Sequence, residues 1–180
     1  MHSQEVKSII EQELSQRPMR PQDIPELDLY MDQIITLFSK YSHGEGEEHR
    51  LTKTMINNYS KARVLPPIKG KKYPREHVLR ILLICLLKQT LSISEIGRLL
   101  SSITPPHQQD MAQELSQRYQ SHLDTMQQQH DQLTAQLEAL IPTDDDPNSI
   151  LTAILNLSQL SCCAEDLCHE LVRRYTQPKA

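Results

Sequence analysis

The chain has 180 residues, with 23 Asp and Glu against 19 Lys and Arg, six Tyr, one Phe and no Trp. That length admits one domain with a sizeable core, or a small domain with an extension, and so few aromatics favour long exposed helices over a compact multilayer core. The longest apolar run, residues 81–87, is too short to span a bilayer, and the polar opening MHSQEVKSII is not a secretory signal, so a cytoplasmic protein without membrane contact is expected.

Along the chain, Val6, Ile9, Ile10 and Leu14 mark a short amphipathic helix over residues 4–16. The proline-punctuated connection RPMRPQDIPELD leads to a second helix over residues 29–38, and SHGEGEEH reads as a solvated acidic loop. Thr52 is a candidate N-cap for a helix through Ala62. On its wheel Met55, Ile56, Tyr59 and Ala62 form one face, and Lys53, Thr54, Asn57, Asn58 and Lys61 form the other, without a carboxylate. The prolines of LPPIKGKKYP end this helix, and Gly70 between lysines permits a tight hairpin. From Pro74, REHVLRILLICLLKQ is apolar on nearly all sides and should be the buried centre of its domain. SISE, residues 92–95, is a capping box that opens a helix to Ile103, and Pro105 and Pro106 close the domain.

Beyond the prolines the chain turns Gln-rich. Tyr119, Leu123, Met126, His130, Leu133, Leu137 and Leu140 follow the 4-3 alternation of a coiled coil. After the acidic turn PTDDDPN, Ile150, Ile154, Leu157, Leu160, Ala164, Leu167 and Leu171 trace the face of a second long helix, and the short connector makes the two an antiparallel hairpin. The first seam, Tyr119, Leu123, Met126, Leu133, Leu137 and Leu140, is expected to bind a second copy; packing on its own hairpin partner is the alternative.

Charge is distributed in blocks: residues 1–49 carry −6, residues 50–80 carry +8 and residues 81–180 carry −6. Such an asymmetry suggests a dedicated surface for a polyanion. Within 52–100, Tyr59, Leu65, Pro66, Pro67, Tyr73, Leu91, Glu95, Ile96, Leu99 and Leu100 resemble the pattern of the winged-helix domain of the mercury-resistance-regulator (MerR) superfamily. The stretch LTKTMINNYSKARVLPP...YPREHVLRILLICLLKQTLSISEI is similar, more closely, to a bacterial family of unknown function; the resemblance covers residues 25–103. It implies a winged helix-turn-helix domain with a minimal β wing over 25–104; with the helices read from spacing, the expected fold is all-α, an N-terminal helix and linker over 1–24 preceding that domain and a dimerising helical hairpin over 105–180 following it. The chain departs from the superfamily in its long acidic loop, in Asn57 and Asn58 where Arg-Tyr is usual, and in a shorter wing carrying Lys69, Lys71 and Lys72.

An α-helix fits the major groove of double-stranded DNA, where Asn pairs with adenine edges and Lys with guanine, while other cations neutralise phosphates. Lys53, Thr54, Asn57, Asn58 and Lys61 are the groove candidates, and Arg63, Lys69, Lys71, Lys72 and Arg75 the phosphate candidates, which hold register and carry little sequence information. The expected function is a homodimeric, sequence-specific DNA-binding regulator; the alternative is a helical adaptor that binds an acidic protein through the same basic face. Cys162, Cys163, Cys168 and His169 crowd together, and some regulators of the resembled superfamily sense metals through cysteines beyond their dimer helix. Their continuous helical pattern, without a turn to gather ligands, favours small buried thiols instead. No phosphate loop, His-Glu metal pair or activated nucleophile is present, so neither an enzyme nor a cofactor is expected. No effector can be named from the sequence.

Overall fold

The computed structural model describes residues 8–12, 18–41, 50–103, 111–142, 144 and 146–177. The acidic loop over 42–49 and the prolines at 105 and 106 lie outside the described residues, as does most of the expected N-terminal helix, of which residues 8–12 are helical. The chain is mostly helical, with one small two-stranded antiparallel sheet. A single 3-10 turn, Pro21–Asp23, precedes β1 (Leu29–Tyr30) and α1 (Met31–Ser39). Then come α2 (Lys53–Lys61), β2 (Lys72–Tyr73), α3 (Arg75–Leu87), α4 (Ile93–Ile103) and the two long helices α5 (Met111–Glu138) and α6 (Pro147–Tyr175).

Contacts divide the described chain into two units, 18–120 with 168–177, and 121–167 with 8–12. The expected divisions lie at residues 24/25 and 104/105; by contacts the larger unit starts at residue 18 and also takes in the first turns of α5 and the last turns of α6.

The larger unit is built around α3. Val78, Leu79, Ile81, Leu82 and Ile84 are buried on it, whereas Leu86 near its end is 45% exposed. Ile34 and Phe38 of α1, Ile56 and Tyr59 of α2, Ile96 and Leu100 of α4, and Leu115 and Tyr119 of α5 are among the residues buried with it. Burial pushes the phenols of Tyr59 and Tyr119 each up to about 12, and the Cys85 thiol up to about 11. The capping box forms as its sequence dictates: the Glu95 amide donates to Ser92 Oγ at 3.3 Å and the Ser92 amide to Glu95 Oε2 at 3.0 Å.

Two expectations change. Leu29 is not helical, and the 66–71 turn closes no local hairpin. Instead β2 pairs with β1, Leu29 opposite Tyr73 and Tyr30 opposite Lys72, so the strand after the basic turn is anchored to a segment more than forty residues earlier. Prolines 66 and 67 explain the difference, since a strand partner next to them would lack ladder amides.

In the smaller unit, α5 residues Leu123, His130, Leu133, Leu137 and Leu140 are half-buried, whereas Met126 is exposed. On α6 the shielded apolar side chains are Ile150, Ala153 and Leu157. The expected continuation of that face is open to solvent: Leu160 is 54% and Leu167 63% exposed, and Ile154 and Ala164 are exposed as well.

Candidate nucleic-acid interface

α2 presents its two faces as its periodicity demands. Thr52 caps it in extended conformation, its Oγ1 accepting from the Met55 amide at 3.2 Å. Ile56 and Tyr59 point into the core, and Lys53, Thr54, Asn57, Asn58 and Lys61 are all exposed. Ala62, expected on the inner face, is exposed as the C-cap residue. The helix ends because Arg63 takes φ 58°, letting the amides of Val64 and Leu65 both return to the Tyr59 carbonyl, at 3.0 and 3.3 Å. That left-handed position is normally glycine, and a non-glycine residue there costs about 1 kcal/mol.

Past Val64 the chain is held by His77, whose Nε2 lies 3.0 Å from the Pro66 carbonyl. A carbonyl only accepts, so Nε2 carries the proton; burial lowers the pKa of this imidazole, and Nδ1 has no partner among the described residues. Gly70 turns at φ 87°, a backbone region open to glycine without strain, and sets Lys69, Lys71 and Lys72 in solvent. Lys72 Nζ stands 5.1 Å over the Tyr30 ring, a cation–π contact that ties the turn to the start of α1.

Arg75, expected among the phosphate contacts, is engaged elsewhere. Its guanidinium pairs with Glu26 and donates through Nη2 to the Pro21 carbonyl at 2.9 Å, clamping the 21–26 segment onto the start of α3. The pairing arises across nearly fifty residues and has no local signature. Arg80 is likewise taken, by Glu76 at 2.9 Å. Glu76 is the one carboxylate of residues 50–80. Arg50, Lys53, Lys61, Arg63, Lys69, Lys71 and Lys72 therefore remain exposed without a carboxylate partner among the described residues. Such an array attracts a polyanion and can exchange its counterions for phosphates.

The dimer-seam candidates separate. Tyr119 is buried within its own unit, Leu123, Leu133, Leu137 and Leu140 are half-buried, and only Met126 is exposed. The cysteines overturn an expectation: Cys162, Cys163 and Cys168 are exposed thiols rather than buried ones, on a stretch of α6 whose neighbouring side chains are exposed as well. Among the described residues no three His, Cys, Asp or Glu side chains gather as a metal site. His169 Nδ1 instead lies 2.7 Å from Glu95 Oε1, joining the end of α6 to the capping box of α4. No described helix is long and apolar enough to cross a membrane.

The fold and this face define a small helical domain with a two-stranded sheet and a cationic helix-plus-turn surface. The chain belongs to the family described as a domain of unknown function (DUF1836), whose profile matches residues 19–122. Comparison with curated proteins and with solved structures gives no match.

Proposed function

We propose that the chain is a cytoplasmic, sequence-specific DNA-binding regulator of transcription that acts as a homodimer through a MerR-like winged helix. In this reading α2 enters the major groove and the 69–72 turn is the wing. The observation that carries it is the outer face of α2. Two asparagines and two lysines stand exposed on a capped helix whose opposite face is locked into the core, so the side chains that would meet base edges are carried on a rigid element. Lys69, Lys71, Lys72 and Arg63 flank it as phosphate contacts, which position the helix without reading sequence. Arg75 leaves that set because its guanidinium holds Glu26 and Pro21.

The second copy is favoured by α6. Leu160, Ala164 and Leu167 keep coiled-coil spacing and face solvent, a stripe that a like helix from another chain would cover. A twofold dimer would read two half-sites about one helical turn apart.

The test is selection of fragmented host genomic DNA by the purified protein at two salt concentrations. Recovery of a few inverted-repeat sites, lost at the higher salt, is expected. Retention of all fragments alike would reduce the surface to nonspecific charge binding, and no retention at either salt would leave the basic face to an acidic protein partner.

A further inference from the structure

The turn that ends α2 forms one wall of an open groove of about 660 Å³, entirely within the larger unit. α4 supplies a second wall through Ser94, Gly97, Arg98 and Ser101, and Thr176, just past α6, borders the groove. The volume lies in the range of small-molecule sites, roughly 300–1,000 Å³. The two arginines that line it, Arg63 and Arg98, have no ion-pair partner among the described residues, and the hydroxyls of Ser94 and Ser101 have no hydrogen-bond partner there. Ser102 and Thr176 donate to the Leu99 and Val172 carbonyls at 2.7 and 2.8 Å, which leaves their oxygens as acceptors. No carboxylate lines the groove, and Val64 and Ile93 add apolar surface.

Two backbone features shape this wall. A Cβ on Gly97 would meet Val64 Cγ2 at 3.3 Å, so the missing side chain lets the turn and α4 approach closely at the floor of the groove. Arg63 occupies the left-handed position where glycine is usual, so a strained residue carries the guanidinium at this wall.

We infer that this groove binds a small organic phosphate monoester of nucleotide size. Two guanidinium forks match a dianionic phosphate, the serine hydroxyls supply further donors, and the apolar strip takes the organic part. Arg63 lies in the turn that terminates α2, so an occupant holding its guanidinium withdraws a cation from the basic face. Ligand and DNA then compete; this coupling, but not the pocket itself, rests on the DNA-binding reading.

The experiment is calorimetric titration of the full chain, without DNA, using adenosine monophosphate, glucose 6-phosphate and 3-phosphoglycerate, with adenosine as the control lacking phosphate. At least one monoester should bind saturably, one per chain, while adenosine binds about tenfold or more weakly. Arg98→Ala should weaken that monoester by about tenfold or more. Ser101→Phe, which fills the groove at an exposed position and keeps both arginines, should weaken it similarly. Absence of saturable binding by all three monoesters overturns the inference, as does binding that both variants leave intact. Loss of duplex binding in both variants, with no monoester bound by the wild type, would assign the groove to the DNA backbone and also overturn it. Monoester binding in a protein that retains no DNA would refute the regulator reading and leave the pocket standing.

Discussion

In the unit built on residues 18–120, Ile34, Ile56, Ile81, Ile84 and Ile96 are fully shielded from solvent; in the unit built on 121–167, Ile10 and Ala153 are the buried apolar residues among those described, and Leu151, Ile154, Leu155, Leu160 and Leu167 are each more than half exposed. Both regions repeat apolar residues at helical spacing, yet one closes on itself and the other does not. A helix apolar on most of its circumference, such as α3, needs neighbours on several sides, which builds a core, and only Leu86 of its aliphatic side chains stays open to solvent. A narrow seam on a long polar helix is satisfied by any one partner helix, from the same chain or another.

The largest expected effect breaks the symmetry between two aliphatic deletions. Ile81→Ala should cost about 2–5 kcal/mol in chemical denaturation, by loss of buried methyl groups and the cavity left behind. Leu160→Ala, measured at monomer concentration, should change stability by less than about 0.5 kcal/mol. Equal losses would erase the distinction between the two regions. Next, Leu160→Glu combined with Leu167→Glu should weaken self-association by more than about tenfold in sedimentation, with unfolding of the core unit unchanged.

A third pair separates structural from surface cations. Arg75→Ala should cost about 1–2 kcal/mol by releasing the Pro21 carbonyl and exposed Glu26, and leave the salt dependence of DNA binding unaltered. Lys71→Ala should do the reverse, reducing the salt slope by about one with little change in stability. The smallest effect concerns pH. Hydrogen bonds from Ser92 and then His169 hold the Glu95 carboxyl at about 2, below its ordinary range near 4.5. Its folded pKa is thus depressed, so the stability it adds is present above its unfolded pKa and is lost as pH falls from there toward about 2. Denaturation midpoints between pH 5 and pH 2.5 should show that decrement in the wild type and a smaller one in Glu95→Gln.

Much of the core unit was legible because its signals are local. The hydroxyl of Thr52 and the Ser92–Glu95 pair sit three residues or fewer from their backbone partners, and the exposed face of α2 follows from a 3.6-residue period alone. What stayed hidden depends on distant partners. Leu29 and Tyr30 read as the start of a helix until Lys72 and Tyr73 are brought alongside, and Arg75 reads as a free cation until Glu26 is placed beside it. The cysteines misled for a related reason: a periodic face predicts that a helix can be covered, not that it is. The Arg98 groove joins a turn, a helix and the residue after α6, and no spacing rule connects them.

Parallel selection of genomic DNA by the wild type and Asn57→Ala tests the role of α2 most directly, since this side chain is exposed on the outer face and leaves the core untouched. The expected result is a small set of inverted-repeat sites for the wild type and a relaxed preference at one base pair of each half-site for the variant, worth about 1–3 kcal/mol in discrimination. Identical site preferences for both proteins, or no retention by either, would contradict the assignment of α2 as the reading helix.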